Sequence, residues 1–278
     1  MYFHTALLKF IAFKIILPFV AFYLIILGLV FYYQRALLYF PQPAVTPEQA
    51  ATLAPGAELI EVETKDQIKL KAYFIPPKTK DAPIILVFHG NAALGLYLGE
   101  NFRTLAQKGY GVLLAEYRGY GGNGGSPSEI GLSRDADAYL EYLKNHYPNH
   151  SIMAYGQSLG GGVAVDLLSR HPDSFKALVL EVPFDSVLNV SNRVYPYILF
   201  KKIMLKDPYL SIEKIGSITV PKLFLLAGED EVVGLESGLN LFAAAPEPKA
   251  KIVFDHAQHG TVYLFGAEAE MVKFLESL

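Results

Sequence analysis

The pattern of hydrophobic and polar positions divides the chain into three kinds of segment. Residues 15–33 contain no charged side chain and are long enough to cross the roughly 30 Å hydrocarbon core of a bilayer as a helix. Apolar and polar residues then alternate over residues 58–62 and 68–75, on either side of a polar turn at residues 65–67. This alternation predicts an antiparallel hairpin with one solvated face.

The third kind of segment is a short, continuous apolar run, and helix-length stretches separate most of these runs. They are residues 84–88, 112–115, 152–155, 177–180, 223–226 and 252–254. Strands that are apolar throughout are buried on both faces, and strands that alternate with helices form parallel sheets. The sequence therefore predicts an α/β fold built on a doubly wound, mostly parallel sheet.

One helix has a marked start at Ser126-Pro127-Ser128-Glu129. A serine followed by proline and then, three residues after the serine, by glutamate is typical of a capping box. The predicted helix runs to about Tyr147, and three acidic residues are assigned to its solvated face. These acids are Asp135, Asp137 and Glu141.

The apolar N-terminal stretch predicts an uncleaved, single-pass membrane anchor over residues 1–38. A cleaved signal peptide is disfavoured because the stretch is too long and no small-residue cleavage site precedes Arg35. A buried core helix is disfavoured because this stretch is apolar on all sides. Lys9 and Lys14 lie before the span and Arg35 after it, which favours a cytoplasmic N-terminus and a main domain on the other side.

The rest of the chain divides into a linker and one domain. Residues 39–57 carry four prolines, which predict a stiff linker. Residues 58–278 form the predicted domain, in which the sheet pattern lapses over about residues 184–217. Apolar and basic side chains are mixed there, after a strand, at the edge where α/β sheets hold their sites. We interpret this segment as a lid that lines an acyl pocket; an ordinary insertion packed on the core is the alternative.

The segment Gly156-Gln157-Ser158-Leu159-Gly160 joins an apolar run to a run of small residues. A strand, a very tight turn and a helix with this pattern form a nucleophile elbow. The two glycines leave room for the strand to approach the helix, and the turn exposes the hydroxyl of Ser158. The N–H of Leu159 is then a candidate donor to a developing oxyanion.

A serine nucleophile needs a base, and on this kind of fold the base is the last of the three catalytic residues along the chain. His171, His256 and His259 follow Ser158. His171 ends the helix after the elbow and is assigned to that helix end. We favour His259, which lies between the last apolar run and a final helix, over His256, which lies closer to the strand.

The base needs a carboxylate to orient it, and the oxyanion needs a second donor. Asp230 follows the apolar run 223–226 and is the preferred acid, with Glu229 as the alternative; Glu181 is assigned a structural role. The loop after the first central strand supplies the second donor in such folds, which points to the N–H of Asn91. His89 is expected to hold this loop.

Net charge and amino-acid composition argue against several classes of partner and cofactor. The formal net charge is −3 and the chain has no cysteine, so the sequence predicts no basic surface for nucleic acid, no disulfide and no thiolate site. No cluster of His, Asp and Glu suggests a metal, and no nucleotide fingerprint is present. We therefore expect no metal, no cofactor and no nucleic-acid partner.

Several motifs together resemble the α/β-hydrolase superfamily, and within it the membrane-anchored ABHD-type proteins. They are Leu38-Tyr39-Phe40-Pro41, His89-Gly90-Asn91, Tyr117-Arg118-Gly119-Tyr120-Gly121, the elbow, Asp230-Glu231-Val232-Val233 and His259. The resemblance implies Ser158 as nucleophile, Asp230 as acid and His259 as base. The sequence departs from the family pattern at Glu116, Ala227 and Gly234, none of which belongs to these three roles.

These observations predict a membrane-anchored serine hydrolase. Its expected substrates are acyl or lipid-like carboxylic esters or thioesters, and its expected surroundings are the lipid bilayer. The resemblance covers esterases, thioesterases and lysophospholipases, and also some peptidases. A serine peptidase and a non-catalytic, membrane-bound scaffold on the same fold are the alternatives.

Overall fold

The structure, a computed structural model, describes Phe10 and residues 12–278. The start of the predicted anchor, with Lys9, lies outside these residues. The core of the described chain is one eight-stranded sheet in the order β1-β2-β4-β3-β5-β6-β7-β8. Its strands are β1 Glu58–Glu63, β2 Lys69–Ile75, β3 Ile84–Phe88, β4 Gly111–Leu114, β5 Ile152–Gln157, β6 Leu178–Glu181, β7 Lys222–Ala227 and β8 Lys249–Phe254.

The pairing of the strands confirms the predicted fold class. β1 pairs with β2, and β2 with β4, in antiparallel fashion, while every other neighbouring pair is parallel. The residues of β3, β4 and β6 are all buried, whereas those of β2 alternate between exposed and buried. The continuous apolar runs thus form the parallel strands, and the alternating run forms the half-solvated hairpin.

Helices follow or connect most of the strands. They are α1 Leu17–Leu38, α2 Pro47–Leu53, α3 Arg103–Gln107, α4 Glu129–His146, α5 Leu159–Arg170, α6 Val187–Val194, α7 Lys201–Met204, α8 Ser211–Lys214, α9 Leu235–Ala244 and α10 Ala267–Glu276. A π-helical turn, Ala12–Ile16, precedes α1, and short 3₁₀ segments lie at Gly95–Phe102, Pro172–Ser174, Ile215–Ser217 and Val262–Phe265.

Two apolar layers cover the two faces of the sheet. Leu86 and Phe88 of β3 point into one layer with side chains of α4 and α5, and Ile85 and Val87 point into the other with side chains of α10. Each apolar side chain of β3 is therefore buried whichever way it points, and full burial of a side chain of this kind contributes about 1.5–3 kcal/mol. The carboxyl ends of the parallel strands are left free to carry functional loops.

The segment Phe13–Leu38, which includes α1, is the one stretch of the described residues that is long and apolar enough to cross a membrane. Its apolar side chains are largely exposed, as Phe19 and Phe22 illustrate. Its C-terminal end is packed differently, because Tyr39 is buried in the domain core and its hydroxyl lies 3.0 Å from that of Tyr209.

The linker contains a helix that the sequence analysis does not predict. Thr46 accepts a hydrogen bond from the N–H of Gln49, and the Gln49 side chain accepts one from the N–H of Thr46, which makes a capping box at the start of α2. The capping box predicted at residues 126–129 is wrong. Ser128 caps α4, two residues after the predicted cap Ser126, and Glu129 instead accepts a hydrogen bond from the N–H of Tyr209.

The prediction that Asp135 lies on a solvated face is wrong as well. Its side chain is fully buried and accepts hydrogen bonds from the backbone N–H and the guanidinium of Arg118, at 2.9 and 2.8 Å. The other guanidinium nitrogens of Arg118 bind Asp66 in the turn between β1 and β2. One arginine therefore ties the hairpin, the loop after β4 and α4 together.

Replacing Asp135 by Ala is expected to destabilise the chain by about 1.5–3 kcal/mol, because the buried Arg118 would keep Asp66 but lose its charged hydrogen-bond partner Asp135. Glu141, on the same helix, is exposed, and Glu141→Ala should change stability by less than about 0.5 kcal/mol. Urea unfolding of the two variants beside the wild type measures the difference. Equal, small effects would contradict the structural role of the Asp135–Arg118 pair.

Candidate active site

The elbow places Ser158 at the tip of a strained turn between β5 and α5. Ser158 has φ 50° and ψ −113°, a conformation that few L-residues adopt. A Cβ on Gly156 would lie 2.4 Å from the carbonyl oxygen of Gly160, and one on Gly160 would lie 2.1 Å from that of Phe88. Only glycine fits these two positions, so the backbone contacts on either side hold the serine at the tip.

Ser158, His259 and Asp230 are joined by hydrogen bonds at the carboxyl edge of the sheet. His259 Nε2 lies 3.0 Å from Ser158 Oγ, and His259 Nδ1 lies 2.8 Å from Asp230 Oδ2. Ser158 and the side chain of Asp230 are buried, and that of His259 is 16% exposed. This is the arrangement in which a histidine can accept the proton of a serine while a carboxylate orients the ring.

The environment of Asp230 favours its ionised form. Its other oxygen, Oδ1, accepts hydrogen bonds from the N–H groups of Val232, Val233 and Gly234 at 2.8–3.2 Å. Burial acts to raise the pKa of Asp230, but the hydrogen bond and charge of His259 and the backbone donors outweigh it, so the pKa lies below its ordinary value. A carboxylate held in this way can stabilise positive charge on His259.

The alternative base and acid lie elsewhere. His256 and Glu229 are both exposed, with His256 Nδ1 3.4 Å from Glu229 Oε1, and neither contacts Ser158. His171 caps the C-terminal end of α5, as assigned, through its N–H to the carbonyl of Leu167, and its side chain contacts Asp137 of α4 at 2.9 Å. Across Phe10 and residues 12–278, no group of three His, Asp or Glu side chains is placed to hold a metal ion.

The two backbone N–H groups predicted as oxyanion donors are those of Leu159 and Asn91. Leu159 is the first residue of α5, so its N–H has no acceptor within the helix. The N–H of Asn91, in the loop after β3, donates to no acceptor among the described residues. The two donors predicted from the sequence therefore belong to the elbow and to the loop packed beside it.

The side chain of Asn91 holds that loop to the end of the N-terminal helix, a contact that the sequence analysis missed. Its Nδ2 donates to the carbonyl of Leu38 at 2.6 Å, and its Oδ1 accepts from the N–H of Phe40 at 3.0 Å and from the hydroxyl of Tyr120 at 2.8 Å. The only sequence signal for this contact is that Leu38–Phe40 and Asn91 both belong to segments that resemble family motifs, far apart in the chain. The loop that would bind an oxyanion is thus fixed by the chain that leaves α1.

His89, which is fully buried, also stabilises the loop after β3 that carries Asn91. Its Nε2 lies 2.8 Å from Glu116 Oε1, and Glu116 Oε2 accepts a hydrogen bond from the N–H of Gly95 at 3.1 Å. The hydroxyl of Tyr117 donates to the His89 carbonyl at 2.9 Å. The glutamate that departs from the family pattern therefore has a defined role, since it connects the loop after β3 to the next segment.

Glu181 lies directly beneath the elbow. Its backbone carbonyl accepts from the N–H of Ser158, and its Oε1 accepts from Gln157 Nε2 at 2.9 Å. Gln157 Oε1 in turn accepts from the N–H of Gly90 at 3.3 Å, so this pair connects the elbow with the loop after β3. Burial raises the pKa of Glu181 to about 8. The carboxyl is therefore neutral in the folded chain near pH 7.

The lid segment reaches the loop that carries Asp230. Arg193 of α6 donates hydrogen bonds to the carbonyls of Glu231 and Val232, and its guanidinium packs on Gly234. At its start the segment is anchored by Asp185, which is buried and bound to Ser237 of α9. The segment therefore packs on the core at one end and, through Arg193, on the loop that carries Asp230.

Glu181→Gln is expected to change how stability depends on pH. Between the ordinary pKa of 4.5 and the folded pKa of about 8, the folded state holds a proton that the unfolded state has lost. Wild-type stability therefore falls as pH rises through this window and levels off above it. The variant has no carboxyl to titrate at this position. Its free energy of unfolding, relative to that of the wild type, should therefore increase with rising pH by up to about 1.4 kcal/mol per pH unit. Urea unfolding from roughly pH 5 to 8 measures the slope.

The matched control for that experiment is Glu229→Gln, whose side chain is exposed and should give a pH-independent difference. A flat difference for Glu181→Gln as well would mean that the Glu181 carboxyl is ionised in the folded chain. Glu181→Gln also differs from the wild type by the hydrogens of the new amide. They can shift the difference in the free energy of unfolding by a constant amount, which does not change how that difference depends on pH.

Comparison with known proteins agrees with this fold. Residues 83–202 match a family model described as the alpha/beta hydrolase fold. An uncharacterized protein of Mycobacterium tuberculosis is 37% identical over 84% of this chain and 83% of its own length. The alpha/beta hydrolase domain-containing protein WAV2 of Arabidopsis thaliana is 31% identical over 87% of this chain and 86% of its own length.

Among solved structures, an esterase of Pyrococcus furiosus superimposes with a TM-score of 0.70 at 21% identity. The match covers 86% of this chain and 98% of the esterase. At this identity the likeness concerns the fold. The family model and the relatives that match over most of their length show that the chain belongs to the α/β-hydrolase family, in its ABHD-type branch, and it has an apolar N-terminal helix.

Proposed function

We propose that this chain is a membrane-anchored serine hydrolase that cleaves carboxylic ester or thioester bonds of acyl, lipid-like substrates through an acyl-enzyme. The observation that supports this most directly is the continuous hydrogen-bonded path from Ser158 through His259 to Asp230. Membership of the α/β-hydrolase family is consistent with it. Ser158 is the proposed nucleophile, His259 the base and Asp230 the orienting acid.

In the first half of the reaction, Ser158 Oγ attacks the carbonyl carbon while His259 Nε2 accepts the hydroxyl proton. The carbonyl oxygen becomes an oxyanion, to which the N–H groups of Asn91 and Leu159 donate. Asp230, ionised because its pKa is depressed, stabilises the imidazolium that forms. When the tetrahedral intermediate collapses, the carbon–oxygen or carbon–sulfur bond breaks and His259 gives its proton to the leaving alcohol or thiol.

In the second half, water attacks the acyl-enzyme and His259 Nε2 accepts a proton from it. The second tetrahedral intermediate uses the same two N–H donors and then releases the carboxylic acid. The proton on His259 returns to Ser158 Oγ, which restores the free enzyme. Each residue therefore has the same contacts in both halves, and no metal or cofactor is needed for this sequence of steps.

The preference for a lipid-like acyl group rests on the surroundings of the site. The exposed apolar surface of α1 fits a bilayer anchor. The lid segment follows β6 and binds the loop of Asp230 through Arg193, so it lies beside the proposed reaction centre. We propose that it lines the acyl pocket, and that the domain works at the membrane surface.

A fluorophosphonate probe should label the full-length protein in detergent and should fail to label Ser158→Ala. Labelling of His259→Ala should be slower by several orders of magnitude, because the serine would lose its base. His256→Ala is the matched control and should label as the wild type does, since His256 lies away from Ser158. The rate of labelling is followed by in-gel fluorescence.

A folded wild type that fails to label would overturn the proposed enzyme activity and leave the scaffold alternative. Labelling that survives in His259→Ala and is lost in His256→Ala would reassign the base. The full chain is needed because Leu38 and Phe40 bind Asn91, and a truncation before Pro41 would remove both contacts.

Asn91→Ala should lower kcat for a short-chain ester by about 10- to 100-fold, because the loop that carries a proposed oxyanion donor would no longer be held to Leu38, Phe40 and Tyr120. Asn101→Ala is the control; Asn101 lies on the following segment, and its side chain makes no hydrogen bond within the described residues. Steady-state kinetics of both variants test this. Wild-type kcat in Asn91→Ala would show that the loop needs no such support.

A further inference from the structure

The outer part of the lid segment, residues 194–206, lies along α1 and is called the cap tip below. Tyr23 of α1 donates its hydroxyl hydrogen to the carbonyl of Tyr197 at 2.8 Å, and its oxygen accepts from the N–H of Leu199 at 3.0 Å. Further along α1, Gln34 donates to the carbonyl of Met204 and accepts from the N–H of Lys206. The cap tip is thus bound to the helix at two separate levels.

The base of the cap tip is fixed by an ion pair. Arg35 of α1 binds both carboxylate oxygens of Asp207 at 2.7 and 3.1 Å, and the Asp207 side chain is buried. Tyr23 and Gln34 are about three turns apart on α1, roughly 16 Å at 1.5 Å per residue. The cap tip therefore extends by that distance along the apolar helix, away from the ion pair and toward the N-terminal end of the helix.

The surface of the cap tip is unusually apolar for an exposed segment. Its large exposed side chains are Val194, Tyr195, Tyr197, Leu199, Phe200 and Ile203, with Ile203 81% exposed. They continue the exposed apolar surface of α1, which includes Leu24, Phe31 and Tyr32. A contiguous exposed apolar surface of this kind marks a contact with a membrane or with another protein.

The polar groups of the cap tip are largely satisfied within the protein. The ammonium group of Lys201 donates to the carbonyls of Ser191 and Tyr195 at 3.0 and 2.6 Å, and Tyr23 satisfies the backbone at Tyr197 and Leu199. Lys206 lies over the ring of Phe31, 4.4 Å from its centroid. Non-helical backbone is tolerated at membrane depth only where other protein groups pair with it, and the Tyr23 hydroxyl supplies such a partner.

We propose that the cap tip is a second membrane-inserted element, which lies beside α1 within the same bilayer leaflet and is held there by Tyr23 and Gln34. This inference rests on the proposed membrane anchoring. The occupant of the apolar surface is the lipid bilayer, because the surface is continuous with the helix that fits a membrane. Lys202, which is exposed on the same element, is suited to reach anionic headgroups.

The chain contains no tryptophan, so single tryptophans can report the depth of each position. Full-length Phe200→Trp is reconstituted in vesicles of phosphatidylcholine and phosphatidylglycerol, some carrying bromine on the acyl chains. Phe22→Trp on α1 is the positive control. Leu278→Trp is the aqueous control, because Glu276 pairs with Lys108 just before β4 and so lies at the sheet edge opposite to Ser158.

Brominated acyl chains should quench Phe200→Trp nearly as strongly as Phe22→Trp and several-fold more strongly than Leu278→Trp. Strong quenching at Phe22→Trp without quenching at Phe200→Trp would overturn this inference and leave the anchor intact. No quenching at either position would contradict the proposed anchoring itself. A Phe200→Trp signal that is shielded from water but not quenched, in a particle with the mass of a dimer, would mean that a second copy covers the surface.

The role of Tyr23 is tested in the Phe200→Trp background. Tyr23→Phe removes the hydroxyl and keeps the helix apolar, so quenching at position 200 should fall several-fold while the protein stays in the vesicles. Tyr32→Phe is the matched control, since the Tyr32 hydroxyl makes no hydrogen bond with the described residues. Unchanged quenching in Tyr23→Phe would show that the cap tip is held at its depth without this side chain.

Discussion

The contact between α5 and the end of β3 is the constraint on which the rest of the site depends. Gly160 lies so close to the carbonyl of Phe88 that no side chain could be accommodated, and Gly156 is equally close to Gly160. The turn between these glycines forces Ser158 into a strained conformation with its hydroxyl at the sheet edge. The loops that follow β3, β7 and β8 end at the same edge, which brings Asn91, Asp230 and His259 to the serine.

Buried polar groups fix the elements around this edge. Arg118 ties the hairpin to α4 through Asp66 and Asp135, while His89 and Glu116 hold the loop after β3. Such groups are costly to bury and are retained only when each is paired, so they constrain the relative positions of the segments they join. The rigidity of the proposed oxyanion loop follows from these contacts.

The N-terminal helix, the proposed membrane anchor, is also connected to the candidate active site. Asn91 binds the end of the helix, and Asp207 binds its Arg35. The cap tip binds the middle of the helix and belongs to the same lid segment as Arg193, which contacts the loop that carries Asp230. A displacement of the helix would therefore disturb both the loop of Asn91 and the loop of Asp230. The N-terminal helix and the proposed reaction centre form one connected structure.

The sequence alone determines the class of fold, the elbow and the order of Ser158, Asp230 and His259, because these depend on local apolar runs and on glycines within a few residues of each other. Tertiary structure decides which of several similar local patterns is used. Thr46–Gln49 forms a capping box and residues 126–129 do not, since Glu129 binds Tyr209 instead. Asp135 is buried because Arg118 lies opposite it, and Asn91 meets Leu38 because the chain returns there. Partners that are distant in sequence leave no periodic signal, so only the folded chain reveals them.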